Sequence, residues 1–151
     1  MVHRVLVALS LALAICFLLL SYLDPRFFLI HLYESLIYFA IVLVLFFREA
    51  RWAFMLGIVA PVGWLLLALV TSGFGEPIRE MAQFLQGQNP NYTPAIIGGI
   101  IAALSIAMAV FCAYHWKREF AGLEKGRRTF WVSAAIVVAY YGVMMLLVRR
   151  A

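Results

Sequence analysis

Five runs of apolar residues follow one another along the chain, at residues 5–23, 27–47, 52–71, 94–116 and 129–148. Each falls within the roughly 17–25 residues that a transmembrane helix needs. The pattern predicts an all-α, polytopic integral membrane protein, a bundle of five transmembrane helices forming one domain over residues 1–151.

The stretch between the third and fourth runs breaks the pattern. Within it, residues 77–86 place Ile78, Met81, Ala82 and Leu85 on one helical face and Arg79, Glu80, Gln83 and Gln86 on the other, which predicts a short amphipathic helix at the outer interface. Gly87-Gln88-Asn89-Pro90 ends it. Asn91-Tyr92-Thr93 matches a glycosylation acceptor, but Pro94 follows at once and so short a pattern is common by chance.

Small residues mark where membrane helices approach closely, because lipid tails are as apolar as leucine and close packing drives helix association. The fourth run repeats Ala95, Gly99, Ala103 and Ala107, with Gly98 and Ala102 beside them, and is the expected centre of the bundle. Ala135, Ala139 and Gly142 on the fifth run and Ala8 and Ala12 on the first offer further contact faces. Residues 41–47 and 65–69 are bulky and are expected to face lipid or a partner. In the third run, Pro61 between Gly57 and Gly63 predicts a bend, since proline removes a backbone donor.

Composition changes the picture little: 66% hydrophobic and 13% charged residues, with a mean hydropathy of +0.99, lie far from the soluble range. The net charge of +5 is more telling because it is unevenly placed. With five spans, Arg4, Arg48, Arg51, Lys117, Arg118, Lys125, Arg127 and Arg128 share one side, whereas Arg26, Arg79, Arg149 and Arg150 share the other. The positive-inside rule then sets the amino terminus in the cytoplasm and the carboxyl terminus outside, most naturally in a bacterial inner membrane. Trp52, Trp116 and Trp131 fall at the expected cytoplasmic ends, where an interfacial aromatic belt belongs. The basic group Lys117, Arg118, Lys125, Arg127 and Arg128 is suited to anionic lipid headgroups. It flanks membrane helices and has no basic fold module, which argues against nucleic acid.

Residues 1–4 give the first run the basic start of a signal peptide, but the apolar stretch is too long for one and leads through Asp24-Pro25-Arg26 into another span, so a retained helix is expected. Cys16 and Cys112 have no metal or redox spacing. Catalytic signatures are likewise missing: there is no zinc motif, nucleophile elbow or phosphate-binding glycine loop. The sequence therefore leans away from an enzyme.

One polar group stands inside the apolar runs. His31, Glu34 and Tyr38 share a face of the second span, with Ser35 beside them, and Glu34 lies roughly 10 Å below the outer boundary at 1.5 Å per residue. An acid at that depth must be protonated, paired or hydrated; His31, Tyr38, Thr71, Tyr140 and Tyr141 have suitable depth to partner it. The indole N–H of Trp64, also mid-span, needs a partner or a packed niche. The cluster admits three readings: a structural pin, a seat for a quinone or pigment, or a proton or cation carrier. His115 belongs to the opposite end of the bundle, roughly 20–25 Å away in depth, so the two histidines cannot clasp one haem. The resulting expectation is a non-catalytic membrane subunit of a larger bioenergetic assembly, handling electrons, protons or pigments. It would contact membrane lipids and other integral membrane subunits and share any quinone or pigment with one of them. The alternative is a small channel, carrier or flippase, alone or as a homo-oligomer, with Glu34 lining the path.

Overall fold

The computed structural model describes residues 2–47, 49–71, 75–87, 93–120 and 126–148, with the side chains of Glu76, Leu147 and Val148 excepted. Arg48, Lys125, Arg149, Arg150 and the Asn91-Tyr92 pair of the acceptor pattern lie outside these residues. The described residues form six α-helices: α1 (Val2–Leu23), α2 (Phe28–Phe46), α3 (Ala50–Val70), α4 (Gly75–Leu85), α5 (Thr93–Glu119) and α6 (Gly126–Val148). All of them except α4 are long and apolar enough to cross a membrane.

Helices α1, α3, α5 and α6 extend beyond the apolar runs into flanking polar residues. The last turn of α5 takes in Lys117 and Arg118, cations that sit favourably against the negative end of the helix dipole. Between α1 and α2 the chain reverses through a 3₁₀ turn, Pro25–Phe27. Pro25 occupies a first-turn position where its missing N–H costs nothing, and the Asp24 N–H closes onto the Leu20 carbonyl at 2.9 Å. At the start of α3, the N–H groups of Trp52 and Ala53 donate to the Glu49 carbonyl at 3.0 and 3.1 Å. At its end, the Thr71 N–H and hydroxyl both donate to the Leu67 carbonyl, at 3.0 and 2.9 Å.

Four helices close a ring in the order α1, α2, α3, α5, each packed on the next, and α1 also reaches α3 across it. The interior is filled by Leu6, Leu13, Phe17, Tyr38, Ile41, Phe54, Ile101 and Met108, all completely buried. α6 lies outside the ring on α3 and touches α2, whereas α4 packs on α5. A single stripe of α6, Thr129, Ser133, Val137, Tyr141 and Met144, is buried; its spacing of three and four is that of one helical face.

The centre of the bundle is therefore α3 rather than the fourth span. Gly57 and Gly63 are the positions where a side chain has no room: a Cβ on Gly57 would lie 2.6 Å from Cys112 Sγ of α5, and one on Gly63 would lie 2.9 Å from Val137 Cγ1 of α6. The helix runs unbroken through the buried Pro61. On α5, the small residues serve another purpose. Gly98 and Gly99 receive Pro77 and Met81 of α4, while Ala103 and Ala107 are exposed. The face of α5 that enters the ring is Ile101, Ser105, Met108 and Cys112. On α6 the small residues are also outward, and Gly142 has nothing within 4 Å of where a Cβ would stand.

Helix α4 begins and ends close to its expected limits, but its faces are turned. Glu80, expected on the polar side, is 1% exposed, whereas Ile78 and Leu85 are 65% and 77% exposed. Packing through Pro77 and Met81 rotates Glu80 inward, where Arg79 Nη2 approaches its Oε1 at 3.6 Å. An apolar cleft of about 260 Å³ remains between α4 and α5, lined by Pro77, Ile78, Met81, Ala82, Leu85, Gly99 and Ala102.

Candidate functional site

His31 and Glu34 are three residues apart on α2, which places their side chains on one face a turn apart. His31 Nδ1 lies 2.8 Å from Glu34 Oε2. The second carboxyl oxygen is also taken, because Trp64 of α3 donates its Nε1–H to Glu34 Oε1 at 3.0 Å. One acid thus joins an imidazole on its own helix to an indole on the next. The carboxyl is nearly enclosed and the imidazole only partly so, with side-chain exposures of 8% and 16%. Phe27 flanks the imidazole, ring centroids 6.3 Å apart.

Burial of an acid is tolerated when its lone pairs find donors, and this pairing supplies them. It also fixes the imidazole. With Nδ1 engaged by the Glu34 carboxyl the ring plane is set, and Nε2 is the atom available to a further group. The arrangement offers an oriented ring nitrogen near the start of α2: an Nε2–H for a carbonyl oxygen when the carboxyl holds the proton shared with Nδ1, or an Nε2 lone pair for a single-ligand role when Nδ1 holds it.

Tyr38 is one turn further along the same face but does not bond to Glu34. Its ring stacks on Phe17 of α1 at 5.6 Å and 17°, and Phe17 in turn meets Trp64 edge-on at 5.7 Å. The hydroxyl is directed toward Ser105 of α5 and Tyr141 of α6 yet closes no hydrogen bond. The hydroxyls of Ser10, Ser105 and Ser133 are buried and unpartnered as well. The remaining residues with suitable depth to partner Glu34 are engaged elsewhere. Thr71 bonds its own helix, and Tyr141 donates to the Ala60 carbonyl at 3.1 Å. Tyr140 and Tyr33 hold each other reciprocally, each hydroxyl donating to the other's backbone carbonyl, with stacked rings 4.3 Å apart. This clasp is what ties α6 to α2.

Sequence reasoning missed the Trp64–Glu34 bond, although both residues carried the signal. Each was a polar group at mid-span depth that required a partner, and the two requirements answer one another.

His115 is remote from this cluster, at the end of α5. Phe54 of α3, Phe111 and Tyr114 surround it, with centroids at 6.1, 4.6 and 5.2 Å, and its Nδ1 is 3.4 Å from Glu119 Oε1. Among the described residues no three histidine, cysteine, aspartate or glutamate side chains could hold a metal ion together. Compared with known protein families, with characterised proteins and with solved structures, the chain finds no match.

Proposed function

We propose that the protein is a membrane-embedded, non-catalytic subunit of a larger membrane assembly, and that the imidazole of His31 is its point of contact with a partner or a shared cofactor. The single observation behind this is the arrangement of Glu34, whose two oxygens hold His31 and Trp64 and so present one oriented ring nitrogen at a partly open face. Membrane embedding is supported by the five long apolar helices. Only 28–39% of the most apolar window of each is buried, leaving side chains such as Ile15, Leu36, Leu66 and Val138 exposed in need of an apolar surround. The charge asymmetry favours a cytoplasmic amino terminus and an outer carboxyl terminus, with α4 at the outer interface.

A quinone headgroup fits the chemistry best among shared cofactors, since its carbonyl oxygen accepts from an imidazole N–H; a pigment with one open axial position is the other class that a single histidine serves. The alternative of a channel, carrier or flippase receives less support, because an acid with both oxygens bonded is poorly suited to line an open path. Mild solubilisation followed by native electrophoresis tests the proposal. The protein should migrate in a particle containing other polypeptides, far above its own 17.0 kDa; a lone monomer that drives a flux in liposomes would overturn it.

A further inference from the structure

The two ends of the bundle differ in a way that the site at His31 does not use. At one end, four helix termini are gathered by aromatic contacts. Phe54, near the start of α3, meets His3 of α1 at 6.0 Å, His115 of α5 at 6.1 Å and Phe120 at 6.0 Å. The start of α6 joins them, since a Cβ on Gly126 would stand 3.7 Å from the Trp116 ring. This cluster brings Arg4, Arg51, Lys117, Arg118, Arg127 and Arg128 to one end. All are exposed but Arg51, which is half-buried with its guanidinium 5.8 Å from the Trp52 ring. Among the described residues only Glu49 and Glu119 oppose them there. At the other end the described charges are balanced: Asp24 and Arg26 in one turn, Arg79 against Glu80 on α4.

We propose that this basic end is a binding surface for anionic phospholipid headgroups, centred on the paired cations Lys117–Arg118 and Arg127–Arg128 where α5 ends and α6 begins. The aromatic residues set its depth. Trp131 and Tyr114 are exposed one turn inside the cations, at 65% and 61%, the level at which amphipathic rings meet headgroups. Above them, exposed cations lie where phosphates of the leaflet lie. Each basic residue held near an anionic surface strengthens binding by about fivefold at physiological salt. Four cations at this end, with Glu119 the one acid beside them among the described residues, therefore select anionic over zwitterionic lipid. The selection falls with ionic strength, because exposed charges are screened.

The inference rests on the membrane-spanning reading, and one experiment separates the two. The full chain is reconstituted in phosphatidylcholine vesicles containing equal small fractions of acyl-brominated phosphatidylglycerol or acyl-brominated phosphatidylcholine, and quenching of tryptophan fluorescence is compared. The expected result is at least about threefold preference for the phosphatidylglycerol, reduced toward unity by 0.5 M salt (~0.5 M gives a Debye length of about 4 Å). The double variants Arg127→Gln/Arg128→Gln and Lys117→Gln/Arg118→Gln should each reduce it, whereas Arg26→Gln/Arg79→Gln at the other end should not. Equal quenching by the two lipids, or equal loss in all three variants, overturns the lipid surface while leaving membrane insertion intact. Quenching by neither lipid overturns insertion itself. The two double variants lie on different helices, so a folding defect in one leaves the other as the test.

Discussion

Trp64 and Glu34, thirty residues apart on neighbouring helices, share a hydrogen bond of 3.0 Å that links α3 to α2 through the only acid on either helix interior. Removing its donor leaves a buried oxygen without a partner, which costs about 1–3 kcal/mol. Trp64→Phe should therefore lower stability in detergent by that amount, read by denaturant titration. Glu34→Gln keeps an acceptor for Trp64 and a donor for His31, and should be far milder than Glu34→Ala. If Trp64→Phe unfolds like the parent, the bond does not hold the helices together.

Two tyrosines offer an internal contrast. The Tyr140 hydroxyl donates to the Tyr33 carbonyl, and Tyr140→Phe should cost about 1 kcal/mol. The Tyr38 hydroxyl is buried without a partner, so Tyr38→Phe removes a desolvated polar atom and should be neutral or stabilising. The same denaturant titration checks both, and a Tyr38→Phe loss as large as that of Tyr140→Phe would show that the Tyr38 hydroxyl is bonded after all.

Glycine substitutions should rank by what a new methyl meets. Gly57→Ala drives a Cβ to 2.6 Å from Cys112 Sγ in the middle of the ring, an overpacking expected to cost about 1–3 kcal/mol. At Gly99 the nearest atom is the flexible end of Met81, at 2.8 Å, so Gly99→Ala should loosen α4 and little else. Gly142→Ala meets open space and should be neutral or gain up to about 1 kcal/mol from helix propensity. Melting temperatures of the three variants give the order directly.

How far the sequence carries varies with the physics involved. The five long apolar helices were legible because bilayer thickness would impose a length and hydrocarbon a composition, both readable locally. The rotation of each helix was not, because it depends on which neighbour it meets. Hence the small residues of α5 signalled close packing at Gly99, but what packs there is α4 rather than another long helix, while Ala103 and Ala107 are exposed. Gly57 and Gly63 flank Pro61 in the sequence, but that they sit against α5 and α6 depends on how the helices are placed. For the site, the His31–Glu34 pair followed from spacing on one helix. The Trp64 bond needed the relative placement of two helices, and the inward turn of Glu80 needed the docking of α4.

Orientation has its own test. With five spans and most cations at one end, a reporter fused after Ala151 should read outside the cytoplasm and one inserted near Gly122 should read inside. Both reading on the same side would remove one span, the first being the one with a signal-like start.

The central claim, that the face bearing His31 meets a partner, is tested most directly by photo-crosslinking from that face in native membranes. A photoreactive residue replacing Phe28, 45% exposed and one turn from His31, should form an adduct with a distinct membrane protein, whereas the same residue replacing Val138 on α6, 71% exposed, should label lipid alone. Lipid adducts only from Phe28, or identical protein adducts from both positions, would contradict the account.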